Sequence, residues 1–302
     1  MAVETRGGGR RSGALRQWVN PKNAPYLFVA PAVLLFLLFI LYPIISSLLL
    51  SFQTRIGPEN VFVGFDNYVR LFGDRLFYTA LGNTFLILII QVPIMLTLAL
   101  TLAVLLNSAL GGLKGFFRVA YFMPAITALV AYAIIFAILL NQDFGAVNYF
   151  LSLFGIDPVP WLTNGFWAKV SLILALTWRY TGYNMVIFLA GLQGISQDLY
   201  EAAAVDGATR WRQFVSITVP QLRPVILFTV VLSTIGTLQL FDEPFVLTDG
   251  GPNNATLTIA MYLYQNGFQF FDFGYASAIA YVLVVLIAAL SFLQIRFLGE
   301  RE

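Results

Sequence analysis

The residues of this chain that could do chemistry fall in two places. One is a polar stretch from Gln193 to Pro224, reading Gln-Gly-Ile-Ser-Gln-Asp-Leu-Tyr-Glu-Ala-Ala-Ala-Val-Asp-Gly-Ala-Thr-Arg-Trp-Arg-Gln-Phe and running on to Pro220 and Pro224. Within it, Glu201 and Asp206 offer carboxylates for charge-assisted hydrogen bonds to a partner protein. Ala202, Ala203 and Ala204 beside them leave a surface that another backbone can approach closely. The other place is a set of polar side chains inside apolar runs: Arg179, Tyr183 and Asn184, then Gln239, Asp242 and Glu243. Tyr183 sits one helical turn beyond Arg179 on the same face, with Asn184 next to it, so the three could line a path for a hydroxyl-rich solute. Arg179 has a second, equally weighted reading as a partner of a carboxylate or of backbone in an interface with a different subunit, because an unpaired charge is costly in lipid.

Gly236, Gln239 and Glu243 follow one another at helical spacing, with Asp242 adjacent. A rise of about 1.5 Å per residue sets Arg179 and Asp242 at different depths, so no direct bridge between them is expected. Asp242 and Glu243 are expected to be wetted from the outer side. Asn83, Thr84, Gln91, Ser277 and Tyr281 are expected to bond neighbouring helices rather than solute. With no cysteine and no histidine, thiol nucleophiles, disulfides, imidazole relays and the commonest transition-metal ligands are excluded. No catalytic or metal-binding residue is expected.

The elements that must position these residues follow from composition. Of 302 residues 59% are hydrophobic and only 11% charged, which, with apolar runs of helix-spanning length, marks an all-α, polytopic membrane protein. Six spans are expected, at about residues 26–52, 78–106, 117–140, 167–190, 222–245 and 274–297. They form a transmembrane domain over 26–297, between a basic tail at 1–25 and a short tail at 298–302. Prolines 43, 93 and 124 are expected to kink their spans. Lysine and arginine gather in the amino tail, at Lys114 and Arg118, at Arg210, Arg212 and Arg223, and at Arg296 and Arg301; the opposite face has Arg55, Arg70 and Arg75. The positive-inside rule therefore puts both termini and the Gln193–Pro224 stretch in the cytoplasm. The net charge of +2 gives no sign of a nucleic-acid partner.

The polar stretch reads locally as an elbow over about residues 196–220. Ser196 is placed to cap a helix, Asp198 suits its first turn, and Leu199 to Val205 sustain it. Gly207 breaks the run, Thr209 can cap a second helix bearing Trp211, Phe214 and Ile217 on one face, and Pro220 should end it. On the outer side, Gly64-Phe65-Asp66-Asn67-Tyr68 reads as a turn into a short interfacial helix, and residues 141–166 as an irregular cap.

Glu201-Ala202-Ala203, Asp206-Gly207-Ala208, Phe214, Pro220 and Pro224 resemble the cytoplasmic coupling motif of the permease subunits of binding-protein-dependent ABC importers, the group with maltose-type and glycerol-phosphate-type members. Gly64, Asn67, Tyr68, Asn83-Thr84, Leu189 to Leu192, Asp242 and Thr248 to Pro252 are similar to further family positions, so the resemblance spans about Tyr26 to Arg296. It implies a type I importer permease fold and a pore built with a second, homologous permease. It implies two ATP-binding subunits gripping the elbows at Glu201, Ala202, Ala203, Asp206 and Gly207, and an external solute-binding protein. It also implies residence in a bacterial inner membrane. ATP and magnesium would be used by the partner, since this chain has no Gly-x-x-x-x-Gly-Lys-Ser/Thr loop and is not expected to be an enzyme or to bind a cofactor itself. The implied cargo is a di- or oligosaccharide, with a glycerol-phosphate-like solute as the alternative. From another class, an ion-coupled secondary carrier would require membrane-buried acids or histidines.

Overall fold

The computed structural model describes residues 24–57, 59–109 and 114–299, so most of the basic amino tail and the last three residues lie outside the described residues. Among the described residues, four helices are long and apolar enough to cross a membrane: Pro25–Ser51, Arg75–Asn107, Gly165–Gln193 and Phe273–Leu298. Two bent pairs raise the number to six if each is one span, Lys114–Ile126 with Leu129–Leu139 at 95° and Arg210–Gln221 with Arg223–Leu238 at 66°.

In chain order the helices are α1 (Ala24–Phe36) and α2 (Tyr42–Ser51), joined by a π turn; α3 (Asp66–Gly73), α4 (Arg75–Ala109), α5 (Lys114–Ile126), α6 (Leu129–Leu139), α7 (Ala146–Ser152) and α8 (Gly165–Gln193); α9 (Gln197–Val205), α10 (Arg210–Gln213), α11 (Val219–Gln221) and α12 (Arg223–Leu238); then α13 (Asp242–Thr248), α14 (Ile259–Tyr264) and α15 (Phe273–Leu298). The core is the seam between α4 and α8, where Leu88, Val92, Met95 and Ala99 meet Met185, Phe188, Leu189 and Leu192. Small residues allow this closeness. A Cβ on Gly182 of α8 would lie 1.7 Å from the Tyr121 carbonyl oxygen of α5, so those two backbones are in contact.

Three features depart from the sequence expectation. A two-stranded hairpin, β1 (Gln53–Ile56) with β2 (Glu59–Phe62), interrupts the all-helical outer face. Asn67 anchors it, donating through Nδ2 to the Ser51 and Gln53 carbonyls at 2.9 Å each. The third span is two helices rather than one, because Pro124 lies just before its end and Ala128 takes an extended conformation. The fifth span stops at Leu238 and not near 245. Phe241 leaves the helical region there, and Pro244, which has no N–H to donate, settles in the first turn of a new helix with Asp242 and Glu243.

Beyond α13 the chain reverses through Asp249 (φ 48°), Gly250 (φ 83°) and Gly251 (φ 72°), successive left-handed positions that two glycines make inexpensive. The returning strand of chain is tied to α4. Asn83 donates to the Asn254 and Leu257 carbonyls at 2.8 and 3.0 Å, and Thr84 Oγ1 accepts from the Ile259 amide at 3.1 Å. This agrees with the expectation that Asn83 and Thr84 hold structure. The short helix expected after Gly64 is α3. The 141–166 cap is ordered around Asn148, which donates to the Gln142 and Val159 carbonyls and accepts from the Val159 amide and the Trp161 ring nitrogen.

Asp74, between α3 and α4, gathers the outer ends of three elements. Its carboxylate accepts from the Tyr262 hydroxyl of α14 and, at 2.7 Å, from the Tyr275 hydroxyl of α15. The Arg70 guanidinium lies 3.9 Å from the Tyr275 ring centroid and forms a salt bridge of 2.7 Å with Asp272. Partial burial acts to raise the Asp74 carboxyl, but hydrogen bonds from Tyr262, Tyr275 and the Leu76 and Phe77 backbone outweigh it and hold the group below its ordinary value. A carboxyl held low in the folded state contributes stability above the unfolded value, and that contribution is lost as pH falls through the folded value. Asp74→Asn is therefore expected to melt below the parent at neutral pH, with the gap closing as pH drops beneath about 4. Melting curves of detergent-solubilised protein between pH 7 and pH 3 measure this; a gap independent of pH contradicts it.

Candidate functional site: a neutral cavity and an exposed elbow

Three helices enclose a cavity of about 290 Å³ lined by Gln91 and Met95 of α4, Leu176, Tyr180, Tyr183 and Asn184 of α8, and Leu232, Ser233, Gly236, Thr237 and the following Leu240 from α12. The α8 contributors recur at +4, +7 and +8 from Leu176, which is one helical face, and those of α12 recur at +3, +4 and +7 from Ser233. No lining residue carries a charge. Two buried amides point their donors at a weak acceptor: Gln91 Nε2 lies 3.3 Å and Asn184 Nδ2 3.6 Å from the Met95 sulfur. A thioether satisfies an amide poorly, so Gln91 retains capacity for a solute hydroxyl, while Asn184 Nδ2 also donates to the Tyr180 carbonyl at 3.0 Å. Tyr180 and Tyr183 add ring faces.

Of the sequence-predicted path residues, the structure brings Tyr183 and Asn184 into this wall and sets the other four apart. Gln239 caps the end of α12 and is exposed, and Asp242 is exposed in the first turn of α13. Glu243 is 2% exposed, so the expectation that both acids are wetted fails for it. Its carboxylate accepts from the Tyr180 hydroxyl at 3.1 Å. Arg179 is 7% exposed and absent from the cavity lining. Its Nη1 donates to the Thr127 carbonyl at 3.0 Å and approaches the Pro124 carbonyl at 3.5 Å, the oxygens released where the third span breaks. Its guanidinium also lies 4.5 Å from the Tyr132 ring centroid. Of the two readings, backbone pairing describes this geometry, to carbonyls of this chain and not of a different subunit. Sequence reasoning missed Tyr180, Ser233 and Thr237, although their periodicity with Tyr183 and Gly236 was the available signal.

The second candidate site is the elbow. Ser196 accepts from the Asp198 amide and Thr209 from the Arg212 amide, so both expected caps form. Between them Gly207 has φ 76°, and its amide bonds the Ala204 carbonyl at 3.0 Å while the Ala208 amide bonds the Ala203 carbonyl at 2.9 Å. These paired bonds are a Schellman end, which the left-handed glycine makes possible. Pro220 does not end the second helix as expected. A π turn at Phe214–Thr218 leads into α11, and the break falls at Leu222, with Pro224 in the first turn of α12. The elbow is braced internally by the Tyr200 and Thr218 hydroxyls at 2.9 Å and by Gln213 Nε2 donating to the Ala208 carbonyl at 3.3 Å. Its outer surface is bare: Glu201, Ala202 and Asp206 are exposed, as are Val205 at 89% and Trp211 at 72%. Exposed apolar side chains beside carboxylates on a rigid unit form a surface suited to a protein partner.

Apolar helices around an uncharged cavity, with a braced polar elbow at one end, define a membrane transport component. Residues 95–301 match the family described as binding-protein-dependent transport system inner membrane component, and the chain belongs to it. It is thus a permease component of an ABC importer and not an enzyme by itself. It is 49% identical over 282 residues, 92% of this chain and 94% of the relative, to the lactose transport system permease protein LacF of Rhizobium radiobacter. To the arabinooligosaccharides transport system permease protein AraP of Bacillus subtilis it is 39% identical over 297 residues, 96% of this chain and 93% of that one. A chain of a bacterial ABC transporter involved in import of the acidic polysaccharide alginate superimposes with a TM-score of 0.81 at 26% identity, covering 94% of this chain and 99% of that one. A further structure of the alginate transporter, in complex with an alginate pentasaccharide-bound periplasmic protein, matches with the same score. The fold is that of a type I importer permease.

Because Arg179 satisfies backbone, Arg179→Met is expected to lower folding stability by about 2 kcal/mol, the range for hydrogen bonds to a charged group, and Arg179→Lys to recover part of it. The yield of folded protein and its melting temperature in detergent measure this. A variant of parental stability with a raised KM for solute would instead return Arg179 to the solute path.

Proposed function

We propose that this chain is a pore-forming subunit of an ATP-driven importer of a di- or oligosaccharide. The observation that carries the reading is the cavity, in which amides, hydroxyls and tyrosine rings meet without any charge. Such a lining suits the hydroxyls and apolar faces of a neutral sugar and gives nothing to neutralise a phosphate. That disfavours the glycerol-phosphate alternative. The relatives named for lactose and arabinooligosaccharides support the same class.

In this reading a second, homologous permease completes the pore and an external solute-binding protein delivers the sugar. Two ATP-binding subunits hold the elbows through Glu201, Ala202, Ala203, Asp206 and Gly207, and use ATP and magnesium that this chain does not itself bind. Both termini and the elbow face the cytoplasm, where the basic residues concentrate. ATP-driven closure moves the elbows and rocks the spans between inward-open and outward-open arrangements.

Affinity purification of the tagged chain from its native membrane is expected to retrieve a second permease and an ATPase; a transport-competent oligomer of this chain alone overturns the reading. Glu201→Lys should cut lactose or arabinotriose uptake by about tenfold or more, since it replaces a charge-assisted acceptor by a like charge at the partner surface. Gly207→Pro should act in the same direction, because proline cannot adopt φ 76°. Both variants should insert normally while ATPase activity persists uncoupled from uptake. Full uptake in both would remove the elbow from the mechanism.

A further inference from the structure

Glu243 is a buried acid whose place is not explained by the cavity, since it does not line it. It sits in the first turn of α13, the short helix formed where the fifth span ends early. Among the described residues the salt bridge is Arg70 with Asp272, so Glu243 has no cation in direct contact. Its side chain meets the Tyr180 hydroxyl at 3.1 Å. Tyr180 has a second role, because its ring forms part of the cavity wall between Leu176 and Asn184. On its other side the Arg179 guanidinium stands 5.7 Å from the Tyr180 ring centroid, fixed in turn by the Thr127 and Pro124 carbonyls. Tyr180 is thus held at its hydroxyl by a buried acid and flanked by a buried guanidinium, while it lines the cavity that solute would enter.

We propose that Glu243 is a positioning residue for solute recognition: it holds the Tyr180 hydroxyl and thereby sets the pitch of the ring against which a sugar packs. This rests on the saccharide reading for its functional consequence, but not for the geometry. An acid suits the task because its carbonyl oxygen accepts from a phenol, as the carbonyl oxygen of an amide also does. The bond also ties the cavity wall to α13, which follows the bend in span five, so a movement of that segment tilts the ring. Arg179 supplies long-range attraction that offsets part of the cost of the buried acid without removing the acceptor from Tyr180.

The test uses the complete transporter in proteoliposomes and two readouts. The chain has no cysteine, so Ser233→Cys places a single thiol in the cavity wall. Its rate of modification by a small methanethiosulfonate reagent reports the neighbouring ring without needing any solute. In that background Tyr180→Phe and Glu243→Ala are expected to change the rate about fivefold, the worth of one hydrogen bond, while Glu243→Gln, whose amide oxygen still accepts, stays within about twofold. The second readout is uptake of lactose and arabinotriose without the added thiol. Tyr180→Phe should raise KM about fivefold with maximal uptake little changed, and Glu243→Gln should follow the parent.

Unchanged thiol reactivity in Tyr180→Phe, which keeps the ring and its packing and is expected to fold, overturns the proposal whatever is transported. So does a fall in maximal uptake at constant KM. Altered reactivity in a complex that imports neither sugar leaves the positioning role standing and overturns the saccharide reading alone.

Discussion

The constraint on which the rest of this structure depends is that lipid offers no hydrogen bonds to backbone, so each interruption of a span must be answered by another part of the protein. Of the breaks in its spans, those at 127–128 and after Leu238 have named partners, as does the chain that returns beyond them. At 127–128 the released carbonyls receive Arg179. After Leu238 the Leu240 carbonyl accepts from Thr258 Oγ1 at 2.6 Å. The chain returning beyond Gly251 is secured by Asn83 and Thr84. Of the polar residues that the sequence sets in apolar helices, Arg179, Asn83 and Thr84 are consumed in this way.

That accounting decides what remains for solute. Once Arg179 is committed to carbonyls and Glu243 to a tyrosine hydroxyl, the polar groups facing the cavity are uncharged amides and hydroxyls, Gln91 against a weak thioether acceptor and Asn184 bonded to the Tyr180 carbonyl. A neutral lining has a mechanical advantage in a carrier that must release as well as bind, because hydroxyl–amide hydrogen bonds exchange for water at small net cost. A charged wall would bind anions tightly and oppose their release. Arg179 and Glu243 are close by, but neither is among the residues that line the cavity.

The sequence made much of this legible, and physics explains the rest. Apolar run length located the first, second, fourth and sixth spans within a few residues, because bilayer thickness fixes it. The caps at Ser196 and Thr209 and the left-handed Gly207 were readable because they depend on neighbours in the chain. Pro220 was misread as a helix end because a π turn at Phe214–Thr218 absorbs it, and such a turn depends on packing. The two-helix third span was hidden for a related reason. Its stability comes from Arg179, more than fifty residues on in sequence, and from the close approach at Gly182, neither of which local propensity encodes. Tyr180 was overlooked beside Arg179, whose charge drew attention from the helical face one position away.

The elbow and the cavity are joined by the geometry of the fifth span. Internal bonds from Tyr200, Gln213 and the Schellman end make the elbow a rigid unit, so a push on it is not absorbed by its own bending. Under the proposed function the compliant point is the 66° bend at Leu222, whose side chain is 1% exposed and packs into the α4–α8 core. From Arg223 to Ser233 the helix runs about 15 Å at its ordinary rise, so α12 acts as a lever with its pivot in the core. In the proposed cycle, rotation about that pivot would move Ser233, Gly236 and Thr237 against the α8 face, and Glu243, carried on α13 just beyond, would shift its hold on Tyr180. Such a cavity would change shape without melting either helix.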